Sequence, residues 1–397
     1  MRILFIHNRY LQSAGGEDTT LEAEANLLTS KGHEVRIQLF DNNDMAKGII
    51  HKVKGGIRSI YNRQSARKTG ASINEFKPDI VHVHNFYFTA SPSVLIEARR
   101  HRVPVVMTVQ NYRLICANCL LLRDNKVCEL CVHHDFPWYG VKYKCYHESA
   151  VQSAMVGAIG AIHKWIGTWK NKVDVMITPA AFIKARLANS SLNVEPGKIL
   201  VKHNFIEDPG LSPAASRKPF YLFVGRLSEE KGVEILLKTW KGFPESRLII
   251  AGDGPDRERL VSSYGQIANV TFVGKKTHQE IIALMKECRA LIFPSIWYEG
   301  LPLTIIEALA TGTPVIASRL GAMQEMILHG KNGLLFAPGD TNLLSRAIDT
   351  FEKISSERQY SIYNNARETY LEKYHPEKCY QEVMNIYNSV LSIGTRN

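Results

Sequence analysis

The chain has 397 residues, 45% hydrophobic and 22% charged, a balance typical of a soluble globular protein with two domains of ordinary size. No apolar run approaches the roughly 20 residues needed to span a bilayer. Leu4-Phe-Ile6 is too short for a signal-peptide core, so a cytoplasmic protein is expected. The formal charge of +11 favours anionic partners, but there is no nucleic-acid motif and no interleaving of aromatic with basic residues; the expected partners are phosphorylated ligands or an anionic membrane surface, not nucleic acid.

Strand and helix patterns alternate along the chain, which argues for layered parallel α/β architecture. In the first half, Arg2–His7, Glu34–Phe40, Asp79–Asn85 and Val103–Gln110 read as strands, and Gly16–Lys31 and Ser93–His101 as helices. Between Met45 and Asn74 lie seven Lys or Arg residues and no acid, with Ile49, Ile50, Val53, Ile57 and Ile60 at roughly helical spacing. Such a stripe suits the inner face of the plasma membrane, or equally a solvated basic helix. Residues 111–150 break the rhythm with five cysteines and three histidines and read as an insert. Val151–Lys170 then reads as a helix and Val173–Thr178 as a strand.

A second alternation starts at Pro219, with strands expected at Phe220–Val224, Arg247–Gly252, Val270–Gly274, Ala290–Pro294, Pro314–Ser318 and Gly333–Phe336. The stretch from Asn204 to Pro219 is rich in Pro and small residues and reads as a hinge. The expected organisation is a first domain over 1–204 carrying the insert, a hinge at 205–218 and a second domain over 219–374. Two doubly wound domains joined this way would face each other across a cleft, with ligands at the carboxyl ends of the strands.

Glu299-Gly-Leu-Pro-Leu-Thr-Ile-Ile-Glu307 sets two carboxylates eight residues apart across a loop-to-helix junction. Pro302 suits the first turn of a helix, and Gly312 stops it. Glu307, flanked by Ile305, Ile306, Ala308 and Leu309, is costly in so apolar a helix unless something hydrogen-bonds to it. Sugar hydroxyls would do so; a solvated surface Glu is the plainer alternative. Earlier in this half, Gly225-Arg226-Leu-Ser-Glu-Glu-Lys231-Gly232 follows the first strand. A guanidinium, an ammonium and a helix N-terminus there could hold a diphosphate without a metal, although surface ion pairs look the same. Gly252-Asp-Gly254-Pro255 and Val273-Gly-Lys275 are tight turns that could meet a nucleobase or merely end strands. Gly15 and Gly16 open the first helix of the other half and allow close backbone approach, but they are not a G-x-G-x-x-G fingerprint, which counts against a nicotinamide cofactor.

Taken together, Phe223-Val-Gly-Arg-Leu-Ser-Glu-Glu-Lys-Gly232, Ala251-Gly-Asp-Gly-Pro255, Tyr298–Ala308, Ala310–Ala317 and Asn332-Gly-Leu-Leu-Phe336 resemble the retaining glycosyltransferases of family four, which have the GT-B fold of two Rossmann-like domains. The resemblance implies that Glu299 holds donor-sugar hydroxyls, that the Gly300–Leu301 backbone lies near the diphosphate, and that Glu307 binds the ribose. It implies that Arg226 and Lys231 neutralise the leaving diphosphate, without a metal, and that residues 375–397 form a helix crossing back to the first domain. Where many relatives carry a His after the strand ending at Thr108, this chain has Gln110-Asn111. An amide there can position a sugar but cannot exchange a proton, and Tyr112-Arg113 beside it could reach acceptor or diphosphate. The implied donor is a nucleotide diphosphate sugar and the acceptor a glycan or lipid-linked glycan. An epimerase of nucleotide sugars on the same fold, or a non-catalytic binding protein, are the alternatives.

Cys116-x2-Cys119 and Cys128-x2-Cys131, with Cys145 following, have the paired spacing of a zinc site. Cys116, Cys128, Cys131 and Cys145 form one set of four ligands for a structural zinc. A group of reduced, partly buried cysteines is the equal alternative.

Overall fold

The computed structural model describes residues 1–9, 16–41, 59–213 and 216–394. They fall into two compact units. One comprises 1–121, 128–204 and 379–397; the other comprises 122–127 and 205–378.

In the first unit, runs of branched and aromatic residues form strands β1 (Arg2–Arg9), β2 (Glu34–Asp41), β3 (Ile80–Asn85) and β4 (Val105–Thr108). The hairpin strands β5 (Leu122–Arg123) and β6 (Lys126–Val127) come next in sequence, then β7 (Val175–Thr178) and β8 (Ile199–Val201). The six long strands pair in parallel in the order β2-β1-β3-β4-β7-β8. β3 and β4 are buried along their whole length, as expected of a parallel sheet covered on both faces. Ile3, Phe5, Leu21, Leu28, Val106 and Ile177 form a core that also takes Val383, Ile386, Tyr387 and Val390 from helix Pro376–Gly394. Those last four recur at helical spacing, so one face of the closing helix is buried against this sheet.

Three local features differ from expectation. The helix expected over Val151–Lys170 is two, Ala150–Trp165 and Thr168–Asn171, because Gly167 takes a left-handed φ of 70° between them. The strand after Val103 is only Val105–Thr108. Within the insert, Asp124 and Asn125 both adopt positive φ (49° and 58°), the geometry of a tight two-residue turn, and join β5 to β6. Of the basic stripe, Ile49, Ile50, Val53, Ile57 and residues 45–58 generally lie outside the described residues. Its end is helix Arg63–Phe76, whose first amides are capped by Asn62.

The second unit contains β9 (Phe220–Val224), β10 (Arg247–Ala251), β11 (Val270–Gly274), β12 (Ala290–Phe293), β13 (Val315–Ser318) and β14 (Gly333–Phe336). Their parallel order is β11-β10-β9-β12-β13-β14. The chain winds outward from β9 to β11, then returns to place β12 on the other side of β9. That reversal is the topological switch point, where adjacent loops part and a ligand crevice forms. Tyr221, Phe223, Leu237, Trp240, Ile250 and Phe351 fill the core beneath it.

Candidate active site

The loops that follow β9 and β12 flank the switch point, and they carry Arg226, Lys231 and Glu299. After β9 the chain makes a short turn, Glu229–Lys231, before helix Val233–Trp240. Gly232 joins the two with φ 68°, and a Cβ there would lie 2.0 Å from the carbonyl oxygen of Pro294. Only glycine fits. The turn is therefore seated on the segment after β12, where the Ile296 amide and the Ser295 hydroxyl both donate to the Glu230 carbonyl (2.9 and 3.1 Å).

This seating delivers Lys231 to Glu299. Lys231 Nζ lies 2.7 Å from Glu299 Oε1, which also accepts from Ser295 Oγ and Trp297 Nε1, each at 2.8 Å. Glu299 is 5% exposed, so these three donors replace water around a buried charge. Phe293 and Trp297 pack their rings beside the ammonium at 5.7 and 5.5 Å. On the far side of the loop Gly321, at φ 56°, would bring a Cβ to 3.1 Å from Tyr298 Cα.

Directly after Glu299 comes helix Leu303–Ala310, with Pro302 as its uncapped N-cap. Among the described residues, the amides of Gly300, Leu301, Leu303 and Thr304 donate to no backbone carbonyl and no capping side chain. Unpaired amides at a helix start form a cradle for an anion. Arg226, exposed at the carboxyl end of β9, has no side-chain partner among the described residues.

Glu307 lies on the same helix as the buried Ile305, Ile306, Ala308 and Leu309, with 14% of its own side chain exposed. Its carboxylate lies 3.3 Å from His278 Nδ1. Donating a hydrogen bond to that carboxylate raises the His278 pKa above its usual value, against the opposing effect of burial. Both carboxylates are largely buried, Glu299 with 6% and Glu307 with 14% of its side chain exposed. Gly254 has a packing reason of its own: a Cβ would lie 2.4 Å from the Leu227 carbonyl, because the loops after β9 and β10 run back to back. Lys275 is exposed after β11.

In the first unit, Gly16 begins helix Gly16–Ser30, and Gly15 lies outside the described residues. Gln110 accepts from Asn204 Nδ2 at 3.1 Å, while its own Nε2 is buried with no partner among the described residues. Asn111 donates to Glu17 Oε1 at 2.7 Å, and burial raises the Glu17 carboxyl above the ordinary range. Tyr112 is 1% exposed, a core side chain. Arg113 is held among the rings of Tyr87 and Tyr146 at 5.2 and 5.5 Å.

Among the described residues, Glu24, His82 and His84 form a group with ligand atoms within 4.8 Å of one another, the spacing of a metal site. Lys202 already neutralises that Glu24 carboxylate, and Tyr387 and Thr108 hold His82 at 2.7 Å each, while Glu24 Oε1 and both ring nitrogens of His84 are buried with no hydrogen-bond partner among the described residues. Cys116, Cys128, Cys131 and Cys145 do not converge to such spacing.

Sequence reasoning missed Ser295, Trp297 and His278. A hydroxyl and an indole four and two residues before Glu299 were on the page, but nothing in linear spacing shows that a bend returns them to its carboxylate. His278 is distant in sequence from Glu307, and only the fold pairs them.

Comparison with known proteins agrees with this geometry. Residues 14–208 match the model of Glycosyltransferase Family 4, and residues 206–369 that of Glycosyl transferases group 1. An uncharacterized glycosyltransferase of Methanocaldococcus jannaschii is 32% identical over 181 residues, covering 44% of this chain and 46% of that protein. Glycogen synthase of Mycobacterium tuberculosis is 27% identical over 287 residues, covering 69% and 60% respectively. The chain thus matches about half to three fifths of the length of these relatives. Among solved structures, sucrose-phosphate synthase from Thermosynechococcus elongatus superposes with a TM-score of 0.70 at 20% identity over 99% of both chains. Anabaena HepE in complex with UDP superposes with a TM-score of 0.68 at 15% identity, over 98% of this chain and 100% of that one. Each unit has the doubly wound sheet expected of a Rossmann-like domain, and the chain belongs to glycosyltransferase family 4 with the GT-B fold.

Proposed function

We propose that the protein transfers a hexosyl group from a nucleotide diphosphate sugar to a glycan or lipid-linked glycan, retaining the donor's anomeric configuration and needing no metal for the reaction. The observation that carries this reading is the buried Glu299–Lys231 pair beside a helix start with unpaired amides. An ammonium, the guanidinium of Arg226, which has no side-chain partner among the described residues, and the amides of Gly300, Leu301, Leu303 and Thr304 together supply positive charge where a diphosphate leaves. Glu299 holds the donor-sugar hydroxyls and keeps Lys231 in place; Glu307 takes the ribose hydroxyls after giving up His278. Gly254 and Lys275 border the base. In the first unit, Gly16 opens helix Gly16–Ser30. The orphaned Nε2 of Gln110 donates to a sugar hydroxyl and moves no proton. Front-face attack, with the leaving phosphate taking the acceptor's proton, fits a site whose amide offers no base.

The acceptor is met at an anionic membrane, on the inner face of the plasma membrane. No helix among the described residues is long and apolar enough to cross one. A structural zinc on the insert would require the four thiols to draw closer than they stand here. The test is to incubate the purified chain with uridine, guanosine and adenosine diphosphate sugars, with and without oligosaccharide or lipid-linked acceptors. UDP comes first because HepE holds it. Acceptor-dependent nucleotide release supports transfer. A changed sugar without release overturns it in favour of epimerisation, and no binding of any nucleotide sugar overturns both.

A further inference from the structure

Helix Ala150–Trp165 in the first unit buries Ser153, Val156, Gly157, Ile159, Gly160 and His163. Its opposite side is apolar too. Val151, Met155, Ala158, Ile162 and Trp165 recur at intervals of four, three, four and three, one continuous stripe along the helix. Those five are half-buried or exposed, with Val151 at 66% and Trp165 at 88%. Ile166, next in the chain, is 48% exposed. A water-facing helix side ordinarily carries charge; this one carries none.

A second apolar element lies alongside. The short helix Trp138–Lys142 follows Pro137, whose ring packs so close to Gly157 that a Cβ there would meet its Cγ at 2.6 Å. Trp138 is 66% exposed, its ring tilted against Phe136 with centroids 4.4 Å apart, and Tyr139 and Tyr143 are exposed beside it. Around these rings the charge is positive. Residues 133–172 contain five lysines against two acids, Asp135 and Glu148. Lys164 is turned inward onto Ser191 at 2.6 Å, while Lys142, Lys144 and Lys170 are exposed.

We infer that this face is a docking surface for an anionic lipid bilayer, with the stripe and the two tryptophans entering the headgroup boundary and the lysines meeting lipid phosphates. Indole and phenol rings sit well at that depth, apolar on one side and polar at the tip. The lysine fringe attracts an anionic surface. The same fringe repels a second copy of this chain, which makes self-association the poorer cover for the stripe. This deepens the membrane part of the proposed function but rests on surface exposure alone, and its test needs no donor or turnover.

The test is co-sedimentation of the full chain with vesicles of phosphatidylglycerol and phosphatidylcholine, beside vesicles of phosphatidylcholine only. The variants are Trp165→Ser, Trp138→Ser and their double, each checked by thermal unfolding. These side chains are exposed, so the variants should melt as the parent does. The expected result is uptake by the anionic vesicles, at least about tenfold weaker for the double variant and for phosphatidylcholine alone, with tryptophan emission quenched by brominated lipid. Uptake unchanged in the double variant, and abolished by salt, overturns the inference and assigns binding to basic residues elsewhere. A dimer in solution that Trp165→Asp dissociates, with no vesicle uptake, also overturns it. If vesicles bind as expected but no nucleotide sugar is turned over, the surface stands and the transferase reading fails.

Discussion

Lys231 Nζ lies 2.7 Å from Glu299 Oε1, joining residues 68 apart that follow the two neighbouring strands at the switch point. Each member supports the other: the carboxylate fixes the ammonium, and the ammonium offsets the charge of a carboxylate that is 5% exposed. Lys231→Met should lower kcat about 10²–10³-fold, the usual loss when a donor to developing charge is removed. Glu299→Gln keeps an acceptor for Ser295 and Trp297, so it should lose kcat while unfolding at nearly the parental urea concentration. Steady-state kinetics beside urea melts would check both. An active Lys231→Met would remove the pair from the reaction.

Gly232 sets the path of that loop. With φ at 68° and a Cβ site 2.0 Å from the Pro294 carbonyl, Gly232→Ala must move backbone. It should cost more than about 2 kcal/mol and impair turnover. Gly330, also at positive φ (77°) but with nothing within 4 Å of its Cβ site, is the control. Gly330→Ala should cost only about 1 kcal/mol, with activity intact. Equal losses in urea melts would show that φ alone, and not the close approach, governs Gly232.

His278 gives the site a pH dependence. Its pKa is raised from 6.5 chiefly by its hydrogen bond to Glu307. A raised value means that the pair's contribution to stability is complete below 6.5 and is lost as pH rises through the folded-state value. Nucleotide binding runs the other way, because ribose competes with protonated His278 for Glu307. Affinity for a nucleoside diphosphate should therefore rise as pH increases through that range, and His278→Ala should flatten the profile. Titration calorimetry at several pH values would show it, and an unchanged slope in the variant would contradict it.

Lys202 and Glu24 form a buried ion pair in the first unit, 2% and 1% exposed. Lys202→Met should cost about 3–5 kcal/mol by stranding the carboxylate, and adding Glu24→Leu should recover most of it. Urea unfolding of the single and double variants decides the point. No recovery in the double variant would mean that Lys202 acts through packing.

Much of the second unit was legible in the sequence. β9, β11 and β14 occupy the residues expected from their apolar runs, because strands bounded by glycine and polar turns are local signals. The carboxylates at 299 and 307 were legible as a pair, but the closer burial of Glu299 was not. Helical flanks suggested that Glu307 carried the burial cost. Its side chain is indeed only 14% exposed, and the chain around Glu299 folds back to enclose that carboxylate further still, to 6%. The insert was legible only as a break in rhythm. Its paired cysteines suggested a metal site, yet the fold does not gather their sulfurs, whereas it does gather Glu24, His82 and His84, which lie far apart in sequence.

The most direct measurement is titration of uridine, guanosine and adenosine diphosphates into the parent chain and into Glu307→Ala. At a ligand concentration about 100-fold above Kd, binding stabilises the fold by about 2.7 kcal/mol, enough to shift thermal unfolding visibly. One diphosphate should bind the parent, and the variant should bind it about 10–100-fold more weakly, the loss expected for hydrogen bonds to a charged group. The variant should melt at the temperature of the ligand-free parent. Equal affinity in the two proteins, or no diphosphate bound by the parent, would contradict the assignment of this site.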